Sequence, residues 1–168
     1  MWVESAPKAR NPFAPRSPDG SLAGMSRVPR CQLEDGVYHV TARGTGGVPI
    51  FLEDVDRLDF VALLGSTARR FDWLCYAYCL MSTHYHLVLE APRLNLSAGM
   101  QRLNGIHSQR FNLRHDRRGH LFEGRFSAYV IEDESYLEAA CRYVLENPVR
   151  AGLCHTVEAW PWSGFAAA

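Results

Sequence analysis

The 168 residues predict an α+β domain, a ferredoxin-like antiparallel sheet with helices packed on one face. Three observations carry that prediction. VYHVTAR, FDWLCYAYCLM and HYHLVLEA alternate or run apolar in the manner of strands. Stretches beginning at Asp54, Leu96 and Asp133 space their apolar residues as helices do. In chain order these pieces read strand, helix, strand, strand, helix, strand, helix.

Residues 1–30 are rich in Pro, Ser, Arg and Ala without apolar periodicity, and are expected to form a disordered tail. Met25, in GMSRVPR, is an alternative start. Residues 31–168 are expected to form a single domain. Val37–Arg43 makes the first strand, with Val37, His39, Thr41 and Arg43 on one face and Tyr38, Val40 and Ala42 on the other. A glycine loop follows at Gly44, Gly46 and Gly47. Val55, Leu58, Val61, Ala62 and Leu64 define a helix over Asp54–Arg70, with Asp54 placed to cap it. Phe71–Met81 and His84–Ala91 form a hairpin through the short polar link Ser82-Thr83.

The second helix runs from Leu96 to about His115, with Met100, Leu103, Ile106 and Phe111 among its apolar positions. DRRG (Asp116–Gly119) is a basic turn, and His120–Glu132 begins irregularly and ends as a fourth strand. Asp133 or Ser135 opens a third helix, SYLEAACRYVLE, which should stop where Pro148 forbids its continuation. NPVRAGL and AWPWSGF close the chain, and no repeat is visible.

An apolar fraction of 47% and a charged fraction of 21% are those of a globular domain. No apolar run approaches the ~18 residues of a membrane span, and the N-terminus has no apolar core of a secretory signal. Five cysteines without a CxxC pair argue against a disulfide framework or structural zinc, and for reduced thiols in a cytoplasm. Cys75 and Cys79 read as core packing. Net charge is zero, unlike a globally basic nucleic-acid binder. Lys8 is the only lysine, however, and Arg102, Arg110, Arg114, Arg117, Arg118 and Arg125 crowd one region, opposed there by Asp116 and Glu123. Guanidinium forks suit bidentate phosphate contact. A genome that favours arginine codons explains the scarcity of lysine but not this clustering.

Two constellations carry chemistry. In the strand containing THYHLV, residues two apart share a face, so His84 and His86 project together while Tyr85 points away. Two such imidazoles can share a divalent cation, although strands also bury satisfied histidines, and spacing leaves both readings open. In RYVLENP, Tyr143 and Asn147 lie four apart on one helical face. Asn147 could offer an oxygen ligand, and a tyrosine phenolate is a competent nucleophile toward a phosphodiester. The plainer alternative packs Tyr143 on the sheet and uses Asn147 to end the helix.

AYCLMSTHYHLVLEAP, with YHVTARG and IFLEDVDRLDF before it and RFN, GHLFEGRF, SYLEAACRYVLENPVRAGL and WPWS after it, resembles the HUH-type single-tyrosine transposases. Within them it looks most like the REP-associated tyrosine transposases of bacteria. The resemblance runs from about Val37 to Ser163. It implies His84 and His86 as ligands for Mg²⁺ or Mn²⁺, with Asn147 completing the metal site, and Tyr143 as nucleophile. In many relatives a tyrosine stands where this chain has His107, a rival placement that would leave this protein inactive. The Tyr-xxx-Asn spacing favours Tyr143.

The implied chemistry is cleavage and rejoining of single-stranded DNA through a covalent 5′-phosphotyrosine, on DNA hairpins, with no external energy source. A bacterial cytoplasm with activity at the nucleoid is the implied setting, and the partner is single-stranded or hairpin DNA, met as monomer or homodimer. The six arginines from Arg102 to Arg125 are the candidates for phosphate contact, and His120 and Phe122 for base stacking, with a core role favoured for Phe122. Two other readings compete. One is a domesticated, non-catalytic hairpin-binding protein on the same fold, which the neutral charge and short C-terminal tail would suit. The other is a metallophosphoesterase that uses the histidines and water.

Overall fold

A computed structural model describes residues 34–165; the tail expected over residues 1–30 lies outside the described residues. Its elements are β1 (Gly36–Arg43), α1 (Asp54–Phe71), β2 (Leu74–Leu80), β3 (His84–Ala91), α2 (Leu96–Arg114), β4 (Ser127–Ile131), α3 (Glu134–Arg150) and the short β5 (Ser163–Gly164). They follow the expected order, and the strands form one antiparallel sheet, β4-β1-β3-β2-β5. β3 sits between β1 and β2, and β1 between β3 and β4, so each helix crossover skips one strand, as in a ferredoxin-like domain.

The alternation of β1 and β3 decides the layers. Tyr38, Val40 and Ala42 of β1 join Tyr85, Leu87 and Leu89 of β3 in the larger core, against Phe60, Leu63 and Leu64 of α1 and Met100, Leu103 and Phe111 of α2. The sequence predicts helices packed on one face, and α1 and α2 take that face. The third helix, α3, covers part of the opposite face, with Ala140 and Val144 against Ala77, Cys79, Val88 and Ile131. Both faces of the central strands are apolar there, and a sheet with two apolar faces needs a helix on each. Two helices on one face and one on the other is therefore the arrangement. The consequence is functional: the face that carries His84 and His86 is the face that α3 covers.

Several boundaries differ for local reasons. Glu53, not Asp54, is the N-cap of α1, and Oδ2 of Asp56 accepts from the backbone N–H groups of Leu52 and Glu53 at 2.9 and 3.0 Å. β2 begins only at Leu74, because α1 runs on to Phe71 and ends at Asp72 in a left-handed conformation (φ 56°). A register shift between Cys75 and Ala77 turns Cys75 into the larger core while Cys79 packs in the smaller one. Both thiols are free and buried, as core packing requires. Asp133 caps α3, its carboxylate accepting from the Tyr136 N–H at 2.8 Å.

Pro148 does not end α3, which continues to Arg150. Proline lacks the N–H that would reach the Val144 carbonyl. The Asn147 side chain substitutes in part, its Nδ2 donating to the carbonyl of Tyr143 at 2.9 Å and lying 3.4 Å from that of Val144.

Candidate active site

His84 and His86 project from β3 beneath α3. Their ring centroids are 5.1 Å apart and their planes cross at 80°. In the β1–β3 register Arg43 stands opposite His84, and Thr41 opposite His86. The Nδ1 of His84 lies 3.0 Å from the Thr83 hydroxyl. The Nδ1 of His86 lies 3.0 Å from Nε2 of His39, and these two rings stack with centroids 5.2 Å apart. The Nε2 of His86 is buried and has no hydrogen-bond partner among the described residues. Such an atom is rare in a folded protein and asks for a ligand.

Burial holds all three imidazoles neutral. It lowers His39 to about 4. His86 is pushed well below its ordinary value by burial, then by His39 and His84. His84 is lowered by burial and by the charge of Arg43. A neutral imidazole is the ligating form.

From above, Tyr143 of α3 meets His86 edge-on, with centroids 6.1 Å apart, and His39 likewise at 6.0 Å. Burial raises its phenol, Arg150 opposes that rise, and Tyr129 adds to it. The Arg150 guanidinium carbon lies 5.0 Å from the centre of the Tyr143 ring, and its Nη2 bonds Glu146 at 2.9 Å. Asn147 lies one turn beyond Tyr143, partly buried. Its amide nitrogen is turned to its own helix, so the carbonyl oxygen is the half of the side chain suited to a cation.

The donor set fits a hard divalent ion only if it mixes nitrogen and oxygen. Among the described residues no group of three or more His, Cys, Asp and Glu side chains is placed to hold a metal. His84 and His86 with the Asn147 oxygen, supplemented by oxygens of water or a bound ligand, could hold Mg²⁺ or Mn²⁺. The buried, unpartnered Nε2 of His86 favours that fit.

Sequence reasoning did not foresee three of these neighbours. His39 and Tyr129 face each other across β1 and β4, with centroids 6.1 Å apart. The alternation of VYHVTAR and SAYVI puts each on this face, but their meeting depends on strand register. Arg150 is seven residues, two turns, after Tyr143, a spacing that the sequence displays openly.

His107 lies elsewhere. It is buried on the α1/α2 side, its Nε2 2.9 Å from the Ile50 carbonyl, among Phe51, Phe60, Phe111 and Phe122. A nucleophile at this position would have the sheet between itself and the paired histidines. Phe122 is in that same core, and His120 is exposed.

The six arginines are not one surface. Arg114 is committed to protein: it bonds the buried Asp56 at 2.6 Å and also pairs with Asp59. Arg117 lies over the Phe111 ring, 5.7 Å from its centre. Arg102 is partly buried on α2, while Arg110, Arg118 and Arg125 are exposed. Arg125 belongs to the loop that binds the end of β1: Glu123 N–H donates to the Arg43 carbonyl, and Thr45 N–H to that of Leu121, both at 2.9 Å. That loop, with Thr45, Asn104, Ser108, Gln109 and Asn112, lines an open groove of about 610 Å³. No helix among the described residues is long and apolar enough to cross a membrane.

Comparison with known proteins agrees with this architecture. A Haemophilus influenzae protein provisionally named a REP-associated tyrosine transposase is 24% identical over 152 residues, 84% of this chain and 86% of its own. The solved structure of a REP-associated tyrosine transposase bound to a REP hairpin shares the fold, with a TM-score of 0.67 over 83% of this chain and 82% of that one, at 17% identity. The family model for IS200-like transposases matches residues 33–147, which takes in β1 through Asn147. The chain belongs to the IS200-like transposase family.

Proposed function

We propose that this transposase cleaves and rejoins single-stranded DNA with Tyr143 as nucleophile, at sites marked by DNA hairpins. The observation that carries the reading is the meeting of Tyr143 with His86 across β3 and α3, beside a buried imidazole nitrogen that has no partner among the described residues.

The Tyr143 oxygen attacks a backbone phosphorus, the bond to the 3′ oxygen breaks, and the phenol proton ends on the released 3′ hydroxyl. The DNA is left joined to Tyr143 through its 5′ phosphate. Attack by another 3′ hydroxyl reverses the step and returns the proton to the phenol. One phosphodiester is exchanged for another, so no energy source is needed. His84, His86 and Asn147 would hold Mg²⁺ or Mn²⁺, which supplies charge to polarise the scissile phosphate and orient it for in-line attack. Arg150 lowers the cost of developing phenolate charge on Tyr143. Hairpin recognition is supported by the likeness to a hairpin-bound structure and by the exposed Arg110, Arg118 and Arg125.

The test is incubation with labelled single-stranded hairpin DNA and Mn²⁺, followed by denaturing electrophoresis. A denaturation-resistant protein–DNA adduct is expected, absent from Tyr143→Phe, whose hairpin binding should stay nearly unchanged. An adduct that survives Tyr143→Phe would refute the assignment of the nucleophile. Hairpin binding by the unsubstituted chain without any adduct would support a non-catalytic binding protein instead.

A further inference from the structure

We infer that His39 is the positioning residue of the metal site: it accepts the Nδ1 proton of His86 and so aims the bare Nε2 of that ring at the cation. The inference rests on the proposed metal-bound site.

His39 Nε2 and His86 Nδ1 are 3.0 Å apart, in a buried contact between residues 47 positions apart in sequence. One proton lies between them, and two arrangements are available to neutral rings. If His39 donates, His86 must carry its own proton on Nε2. That N–H would then be buried with no acceptor among the described residues, where Nε2 has no partner. Orphaned buried N–H groups are among the rarest features of folded proteins. If His86 donates, Nε2 carries a lone pair instead, and a lone pair is what a cation requires. Ligating histidines generally donate their other ring nitrogen to an acceptor, which fixes tautomer and orientation. Here a second imidazole takes the place of the usual carboxylate or carbonyl.

Geometry supports the same assignment. The two rings are nearly parallel, 19° apart, so His39 restrains the tilt of His86 as well as its proton. Tyr143 contacts both rings and Tyr129 contacts His39, so the pair is packed from α3 and from β4. Among the described residues no imidazole is hydrogen-bonded to His84 in this way; its Nδ1 meets the hydroxyl of Thr83, a partly exposed residue. The buried ligand is the one held by His39.

Two measurements on the full chain test this. Long-range ¹H–¹⁵N imidazole NMR of the metal-free protein should find His86 protonated on Nδ1; a proton on Nε2 would overturn the inference without any substitution. Mn²⁺ binding, read from the EPR signal of the free ion, should weaken about 10–100-fold in His39→Ala. It should recover to within about threefold in His39→Gln, whose amide oxygen can accept the same proton. Undiminished Mn²⁺ affinity in a folded His39→Ala, or no recovery in His39→Gln, would overturn the positioning role while leaving the metal site standing. Equal failure of the unsubstituted chain and His86→Ala to bind Mn²⁺ would overturn the metal site itself, and the positioning role with it.

Discussion

Tyr143 stands edge-on to His86, with ring centroids 6.1 Å apart and planes at 88°. Tyr129 is a second phenol beside these histidines, and its ring contact is with His39. The distinction predicts which tyrosine reacts. Tyr129→Phe should keep adduct formation within a few-fold of the unsubstituted chain, whereas Tyr143→Phe should abolish it. Peptide mapping of the adduct after nuclease trimming checks the same point, and a modified peptide containing Tyr129 would reverse the assignment.

Arg150 supplies a second prediction. Burial raises the Tyr143 phenol, while the Arg150 charge lowers it. Removing that charge leaves the phenol higher, so the reactive fraction at a given pH falls by tenfold for each unit of change. Arg150→Ala should slow adduct formation near neutrality, with the deficit shrinking as pH rises. Single-turnover rates across a pH series measure this. A deficit that is constant with pH would mean that Arg150 acts on the DNA and not on the phenol.

Alternation within single segments made the site partly readable. HYHLVLEA shows that His84 and His86 share a face, and RYVLENP shows that Tyr143 and Asn147 do. What no segment shows is which two faces meet. That α3 lies over the histidines depends on the second apolar face formed by Ala77, Cys79, Val88 and Ile131. Half of that face is hidden in the sequence, because the irregularity between Cys75 and Ala77 breaks the alternation of β2. The pairing of His39 with His86 depends on the register of β1 against β3, a long-range property. Pro148 misled for a chemical reason: Asn147 replaces part of the hydrogen bonding that proline removes. Arg114 misled because its partner, Asp56, is 58 residues away.

Arg114 therefore separates from the other arginines in a third prediction. It anchors the end of α2 to the buried carboxylate of Asp56, which also lies 3.0 Å from Nε2 of His115. Removing one partner of such a pair leaves a charge unsatisfied, at a cost of about 3 kcal/mol. The partial exposure of Arg114 reduces that figure, to on the order of 1–2 kcal/mol. Arg114→Ala should lower the thermal midpoint and leave the affinity of the folded protein for hairpin DNA unchanged within about twofold. Arg110→Ala and Arg118→Ala should do the opposite, with little loss of stability and a binding curve less sensitive to salt by about one counterion each. Salt titrations of hairpin binding, set beside thermal melts, distinguish the two classes.

Acid should weaken the fold in two separate windows. His39, ordinarily near 6.5, is lowered to about 4 by burial, and His86 moves in the same direction. As pH falls below 6.5 the unfolded chain takes up protons that the folded chain refuses, so stability falls until the folded value near 4 is passed. For His39 the loss is on the order of 3 kcal/mol. Asp56 contributes lower down. Burial alone would raise its carboxyl, but hydrogen bonds from the Glu53 N–H, His115, the Leu52 N–H and Arg114 outweigh burial and hold it at about 2. Its stabilisation is complete above 3.8 and is lost as pH falls toward 2. Denaturant unfolding of the metal-free protein, followed from pH 7.5 to 3, should show a decline that begins near 6.5, well above the range of any carboxylate. His39→Phe should make the upper decline shallower, the remainder belonging to His86, His84 and His107, which burial also lowers, and should leave the lower window in place. An unchanged slope between pH 6.5 and 4 in that variant would show that His39 is not a group refusing the proton.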